Sequence, residues 1–351
     1  MKFAKNIRSH SIVRHGGPHS IPGFSAKILD FSSNVNPLGY PGIVKLDLDK
    51  IPIYPDHDST KLKQALSKYL KIPKHNITVG NGATELIYDF CRAVTPNKVL
   101  IVSPTFGEYE SASRLCGAKI DFFSTLNLES NLEKFMQKIP RNGIVFVCNP
   151  NNPTGELLSK KSIISIIKAA KSKSSLVFVD ECFIELTQTP DQSVLDLVSK
   201  FENLFVLRSL TKSFGLAGLR LGYGIGSKNL VSILDKIRVP WSVNGLAHQA
   251  GILALSDKKF LTKTQKLIKA ELRFLIDSLS KLGLEYSETK TNFILIKTKQ
   301  PSKVLQKKLL QKNILVRDCS NFRGLDKYHI RIAVRTRKEN KKLVSAFEAI
   351  L

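Results

Sequence analysis

Short apolar runs, rich in β-branched residues, alternate along this chain with stretches whose apolar positions recur every three or four residues. The runs at 77–80, 98–103, 119–124, 144–148, 176–179 and 204–207 are too short for helices and read as strands. The stretches at 81–94, 108–116, 128–137 and 160–170 carry the helical period. Such alternation predicts right-handed crossovers and a largely parallel sheet covered on both faces. Ligands bind sheets of this kind at the carboxyl ends of the strands. The polar motifs of this chain fall at that edge.

The flanks differ. Residues 1–30 are polar and broken by Gly16-Gly17-Pro18 and Pro22-Gly23, a loop-like arm. A strand is predicted at 29–34. A helix follows to about residue 70, capped by Asp58 or Ser59, with Leu62, Ala65, Leu66, Tyr69 and Leu70 on one face. After Arg238-Val239-Pro240-Trp241-Ser242 come two helices, the second near 260–282. Strand 293–297, helix 303–311, strands 314–317 and 328–334 and a last helix complete a smaller α+β unit. The expected division is an arm with part of a small domain at 1–44, a large domain at 45–242 and a small C-terminal domain at 243–351.

Composition changes this picture little. With 351 residues, 42% hydrophobic and 24% charged, the chain is of the soluble globular class. No uncharged apolar run approaches a membrane span, and Met1–Arg8 lacks a signal-peptide core, so the expectation is cytoplasmic with no membrane partner. Five scattered cysteines without a C-x-x-C pair read as reduced thiols, with no metal site; Cys148 and Cys182 read as small apolar filler. The net charge of +25 raises nucleic-acid binding. The lysines are spread over the whole chain, and no basic reader motif appears. The charge is therefore read as a solvated surface that steers anionic ligands, with no nucleic-acid partner.

The chemistry centres on residues 207–220, Leu-Arg-Ser-Leu-Thr-Lys-Ser-Phe-Gly-Leu-Ala-Gly-Leu-Arg. Lys212 suits a carbonyl, while Ser209, Thr211 and Arg220 suit a phosphate. Alone, the stretch is equally a surface turn. Asn81-Gly82-Ala83-Thr84 opens a helix, whose free N–H groups and dipole favour a phosphate. In Asn149-Pro150-Asn151-Asn152-Pro153-Thr154-Gly155, two prolines stiffen a loop that directs an asparagine amide. Asp180 ends a strand; it reads as an N-cap, or as the partner of a pyridinium nitrogen. His15-Gly16-Gly17 reads as a turn, or as a close approach to an anion.

Together and in this order, these motifs resemble the fold-type I pyridoxal phosphate (PLP) enzymes, the aspartate aminotransferase superfamily near histidinol-phosphate aminotransferase. The resemblance runs from about residue 15 to the end. It implies an α/β fold, a large domain with a mostly parallel central sheet plus a small α+β domain. It implies Lys212 as Schiff-base lysine, Asp180 as pyridinium partner and Asn152 at the ring hydroxyl. Gly82, Ala83, Thr84, Ser209, Thr211 and Arg220 would hold the cofactor phosphate, and Phe106 would stack on the ring. Tyr54 would reach the cofactor phosphate of the other subunit of a homodimer. Arg331 would clamp a substrate carboxylate.

One position departs: where the aminotransferases carry a tyrosine three residues after the aspartate, this chain has Phe183. Phenylalanine there is similar to the threonine-phosphate decarboxylases of cobalamin biosynthesis. So are His15-Gly16-Gly17, Asp30-Phe31-Ser32-Ser33-Asn34-Val35-Asn36-Pro37-Leu38-Gly39, Pro240-Trp241-Ser242-Val243-Asn244 and Arg317-Asp318-Cys319-Ser320-Asn321-Phe322. That resemblance implies a phosphorylated amino acid as substrate, with His15, Asn34 and Arg317 on its phosphate. Arg335, on the strand face of Arg331, adds positive field or meets solvent. The expected reaction is decarboxylation of L-threonine O-3-phosphate, with serine phosphate as a variant. Histidinol-phosphate aminotransfer is the alternative, and a non-catalytic regulator that binds nucleic acid is the alternative of another class.

Overall fold

The β-branched and aromatic runs become strands, and all but the edge strand at 119–124 are largely buried on both faces, because a covered parallel sheet satisfies so much apolar surface. The computed structural model describes residues 5–8, 10–20 and 28–351; Pro22 and Gly23 of the expected arm lie outside them. In chain order the strands are β1 (Leu29–Asp30), β2 (Ile77–Asn81), β3 (Lys98–Ser103), β4 (Lys119–Ser124), β5 (Ile144–Cys148), β6 (Leu176–Asp180), β7 (Leu204–Ser209) and β8 (Leu221–Ile225). Then come β9 (Glu285–Tyr286), β10 (Phe293–Lys297), β11 (Ile314–Leu315), β12 (Arg317–Asp318) and β13 (His329–Ala333).

Seven strands form the central sheet in the order β2-β8-β7-β6-β5-β3-β4. The pairings among β3 to β7 are parallel, while β8 runs antiparallel to both β2 and β7. The reversal follows from chain length: the Leu210–Arg220 connection is too short for a crossover. Alternate residues face opposite layers. Phe178 of β6 joins Phe90, Phe146 and Phe205 on one face, and Val177 and Val179 join Val145, Val206 and Ile166 on the other. The Phe90, Phe146 and Phe205 rings lie 4.9, 5.0 and 5.1 Å from Phe178. A smaller antiparallel sheet runs β12-β13-β10-β9, and β1 pairs in parallel with β11. The chain start is thereby stitched to the C-terminal region.

Three local expectations are corrected. The strand predicted at 29–34 is only Leu29–Asp30, because Asp30 Oδ1 then accepts from the Ser32 N–H (2.8 Å) and turns the chain. The strand predicted at 314–317 is two short strands in different sheets. The helix Thr60–Leu70 is not capped by the Asp58 or Ser59 side chain. Asp56 Oδ2 accepts from the Thr60 N–H at 2.7 Å, and the Ser59 hydroxyl meets His248 Nε2 instead. Among the described residues, no helix is long and apolar enough to cross a membrane.

Candidate active site

The carboxyl ends of β5, β6 and β7 converge on a cavity of about 280 Å³. Of the residues singled out from sequence, it gathers His15, Asn34, Ala83, Thr84, Phe106, Asn152, Asp180, Ser209, Thr211, Lys212, Arg220, Arg317 and Arg331. Gly82 and Tyr54 lie outside the lining.

Strand pleating explains why the acids part ways. Asp180 turns into the cavity, while the next residue, Glu181, faces a buried ion pair with Arg208 at 2.8 Å. Asp180 is 5% exposed and accepts from Tyr109 Oη at 2.6 Å and from the Cys182 N–H at 2.9 Å. Burial pushes its carboxyl above the usual range, against these hydrogen bonds and the charge of Lys212. Tyr109 was missed at the level of sequence: a tyrosine within a helix carries no mark of the strand end it faces.

Lys212 sits in the short helix Leu210–Ser213 that interrupts the passage from β7 to β8. Burial, followed by the charge of Arg331, lowers its pKa to about 8. Its backbone carbonyl accepts from the Asn36 N–H at 3.2 Å, which docks the turn after Asn34 against it. Ser209 caps the same helix, and its hydroxyl lies 2.6 Å from that of Thr211.

These hydroxyls adjoin the N-terminus of helix Gly82–Val94, whose first N–H groups have no partner within the helix. A Cβ on Gly82, at φ +80°, would stand 2.4 Å from Arg220 Nη2. Arg220 itself adopts φ 56°, a left-handed conformation that costs about 1–2 kcal/mol and brings its guanidinium against that glycine. The cradle of N–H groups, hydroxyls and guanidinium suits a phosphate.

The Asn149–Gly155 loop is pinned by its other asparagines, not by proline alone. Asn149 Oδ1 accepts from the Leu158 N–H at 2.8 Å, and Asn151 Nδ2 donates to Pro104 O at 2.9 Å. Asn152 is left to face the cavity, where its Oδ1 accepts from Arg331 Nη1. Arg331, 6% exposed, also donates to Ser32 O at 2.8 Å and stacks its guanidinium 5.3 Å from the Phe293 ring centre. Phe183 packs edge-on against the same ring at 5.0 Å. Arg331 Nε and Asn34 Oδ1 are buried without a hydrogen-bond partner among the described residues. Such atoms await a ligand that can bond them.

At the mouth, Arg317 Nη2 donates to Arg14 O (2.8 Å) and Asn321 Oδ1 (3.0 Å), strapping the arm to the small sheet. This holds His15 and Gly16 over the opening. His15 packs against Phe106 at 5.7 Å between ring centres. Arg335 does not line the cavity; partly exposed, it pairs with Glu339 at 2.7 Å, in the first turn of the last helix. Cys148 and Cys182 are buried as expected of filler, but both line the cavity. Tyr54 is 79% exposed and packs at a tilt against Trp241, 5.1 Å between ring centres.

The site thus holds a lysine with lowered pKa, a buried carboxylate, a phosphate cradle and two further guanidinium groups, Arg331 and Arg317, on facing strand positions. The donor set fits pyridoxal phosphate.

A model of the aminotransferase class I and II family matches residues 26–347. A protein of Caldanaerobacter subterraneus named "Putative threonine-phosphate decarboxylase" is 40% identical over 96% of this chain and 93% of its own length. The histidinol-phosphate aminotransferase of Methanosarcina mazei is 37% identical, over 92% and 88%. Among solved structures, the histidinol-phosphate aminotransferase of Clostridium acetobutylicum superposes with a TM-score of 0.85 at 32% identity, covering 92% of this chain and 99% of that one.

Proposed function

The chain belongs to the aminotransferase class I and II family, and within it we propose that it decarboxylates L-threonine O-3-phosphate to (R)-1-amino-2-propanol O-2-phosphate, a step of cobalamin biosynthesis. Its cofactor is pyridoxal 5′-phosphate, which when bound supplies an electron sink for the pair left at Cα. The observation that carries the reading is a pair of guanidinium groups, Arg331 and Arg317, on facing positions of β13 and β12, that line one cavity with Lys212. Arg331 lies deep, with Nε free to bond an anion, and Arg317 stands with His15 at the mouth. A substrate with an anion at each end spans them.

Each residue has a proposed task. Lys212 Nζ would hold the cofactor carbonyl and would carry the proton at Cα. The Asp180 carboxylate, oriented by Tyr109, holds the proton on the ring nitrogen. Asn152 bonds the ring hydroxyl, Phe106 covers the ring, and Gly82 to Thr84 with Ser209, Thr211 and Arg220 hold the cofactor phosphate. Arg331 takes the substrate carboxylate; His15, Asn34 and Arg317 take its phosphate. Fixing both ends would let the site select which bond at Cα breaks, and positioning of this kind lowers barriers strongly.

Phe183 in place of tyrosine, and the relative at 40% identity, support decarboxylation. The 37% and 32% identities to histidinol-phosphate aminotransferases support the second reading, amino transfer from histidinol phosphate. The loaded enzyme is expected to release CO₂ from threonine phosphate without 2-oxoglutarate, with serine phosphate assayed alongside. Amino transfer from histidinol phosphate to 2-oxoglutarate, with no CO₂ from either phosphoamino acid, would replace the first reading by the second.

A homodimer with shared sites is also proposed. Tyr54 points away from its own cavity, and Tyr40, Leu48, Ile51, Ile53 and Trp241 are all at least half exposed. So much open apolar surface favours a second copy, with Tyr54 reaching the partner's cofactor phosphate. Sedimentation velocity at micromolar concentration is expected to report a dimer; a fully active monomer would refute the shared site. The pairing of β1 with β11 supports the division at 45 and 243, which groups the chain start with the C-terminal domain.

A further inference from the structure

Behind His15 lies a carboxylate that the reaction does not use. Glu108, 6% exposed in the first turn of helix Glu108–Leu115, accepts from His15 Nε2 at 2.6 Å. Its other oxygen accepts from Tyr88 Oη, whose own oxygen lies 2.7 Å from Ser111 Oγ; Ser111 in turn meets His10 Nε2 at 3.1 Å. Both carboxylate oxygens are therefore held, and the side chain cannot turn away from the imidazole.

The hydrogen bonding dictates which proton sits where. Burial pushes Glu108 up, but the hydrogen bonds from His15 and Tyr88 outweigh it and hold the carboxyl below its ordinary value. An ionised carboxylate only accepts, so His15 Nε2 carries a proton. The other nitrogen, Nδ1, makes no hydrogen bond among the described residues. In a neutral ring that atom is an acceptor, and it would repel a phosphate oxygen. Doubly protonated, the ring offers Nδ1 as a donor to a phosphate oxygen while Glu108 holds its other edge. The other charged and titratable groups near the ring are Arg317, which lines the same cavity, Tyr88 behind Glu108, His10 and Arg14 on the ring's own segment, and Glu110, Arg114 and Arg323 in the adjoining cavity that His15 also borders.

We propose that Glu108 is a positioning residue: it fixes the His15 ring by its Nε2 edge, completing with Arg317 a subsite for the phosphate of the substrate. The proposal rests on the reading that the substrate carries a phosphate, which holds for either reaction considered above. It adds a determinant that discriminates phosphorylated from unphosphorylated substrates, since the carboxylate end is met separately at Arg331.

The test uses Glu108→Gln, His15→Ala and the double variant, each loaded with cofactor. Glutamine keeps an acceptor for Nε2 but not the charge. Glu108→Gln is expected to raise KM for threonine phosphate about tenfold, the loss of a charge-assisted hydrogen bond, with kcat changed less than about twofold. Equilibrium dialysis of the loaded enzyme with radiolabelled inorganic phosphate is expected to weaken by a similar factor. In the His15→Ala background, Glu108→Gln is expected to add nothing, whereas a general effect on folding would persist there. An unchanged KM and phosphate affinity in Glu108→Gln, or an equal penalty without His15, overturns the proposal. Should the wild-type enzyme bind phosphate Glu108-dependently yet leave threonine phosphate untouched, the reaction assignment fails and the subsite stands. Should it bind no phosphate, the subsite fails whatever the turnover.

Discussion

Lys212→Ala is expected to lose turnover by more than about 10⁴-fold, the upper range for a single proton-transferring group, because it also removes the amine that captures the cofactor. The expectation rests on the lysine's surroundings, since a chain with this many lysines offers many amines. Lys212 lines the cavity with Asp180, and its pKa is lowered to about 8 by burial and by Arg331. At pH 7 roughly a tenth of such an amine is neutral, against less than one in a thousand for an ordinary lysine. The rate of cofactor capture by the apoenzyme, followed by visible absorbance, should therefore climb about tenfold per pH unit and level off above about 8. The linkage has the matching sign. A cation disfavoured in the fold costs stability in full below about 8, and the cost fades as pH rises toward the ordinary lysine value. Stability of the apoenzyme should rise with pH across that interval. Turnover retained in Lys212→Ala would overturn the whole assignment.

Asp180→Asn is the second large effect: kcat is expected to fall about 10²- to 10³-fold, with KM near that of wild type, as for loss of one preorganised charge in a closed site. Asparagine keeps the size and an acceptor for the Cys182 N–H, so the variant is expected to fold, as near-ultraviolet circular dichroism can verify. What goes is the negative charge that would hold a proton on the ring nitrogen. Tyr109→Phe deletes only the 2.6 Å hydrogen bond that aims this carboxylate. It should cost about five- to tenfold, the worth of a single hydrogen bond. Single-turnover measurements of CO₂ release separate the two variants. Wild-type kcat in Asp180→Asn would remove the carboxylate from the mechanism.

Part of this site was legible in the linear chain. Lys212, Asp180, Asn152 and the Gly82–Thr84 turn stand at strand ends or helix starts, and apolar runs with adjoining polar motifs reveal such ends locally. The arm's His15-Gly16-Gly17 was equally a plain turn, and the distant Arg331 became a candidate only through resemblance. Tyr109 and Glu108 were not legible at all. An aromatic or an acid in the first turns of a helix is ordinary for packing and for the helix dipole, and nothing local says that one faces β6 and the other faces an arm about ninety residues earlier. Arg335 shows how a neighbour completes such a reading. Strand periodicity left it an inward or solvent-facing cation, and the helix start supplied Glu339, with which the partly exposed guanidinium pairs.

By itself, the sequence determined the succession of elements, the reach of the central strands and the residues at their ends, because those depend on interactions among near neighbours. The tertiary structure decided which way β8 runs, which helix side chains meet strand ends, and that Asn152 engages Arg331. It also decided what surrounds Lys212. The residue at the centre of the motif owes its lowered pKa to burial and to a guanidinium over a hundred positions away. Burial and distant charge are properties of the packed chain, and no local pattern carries them.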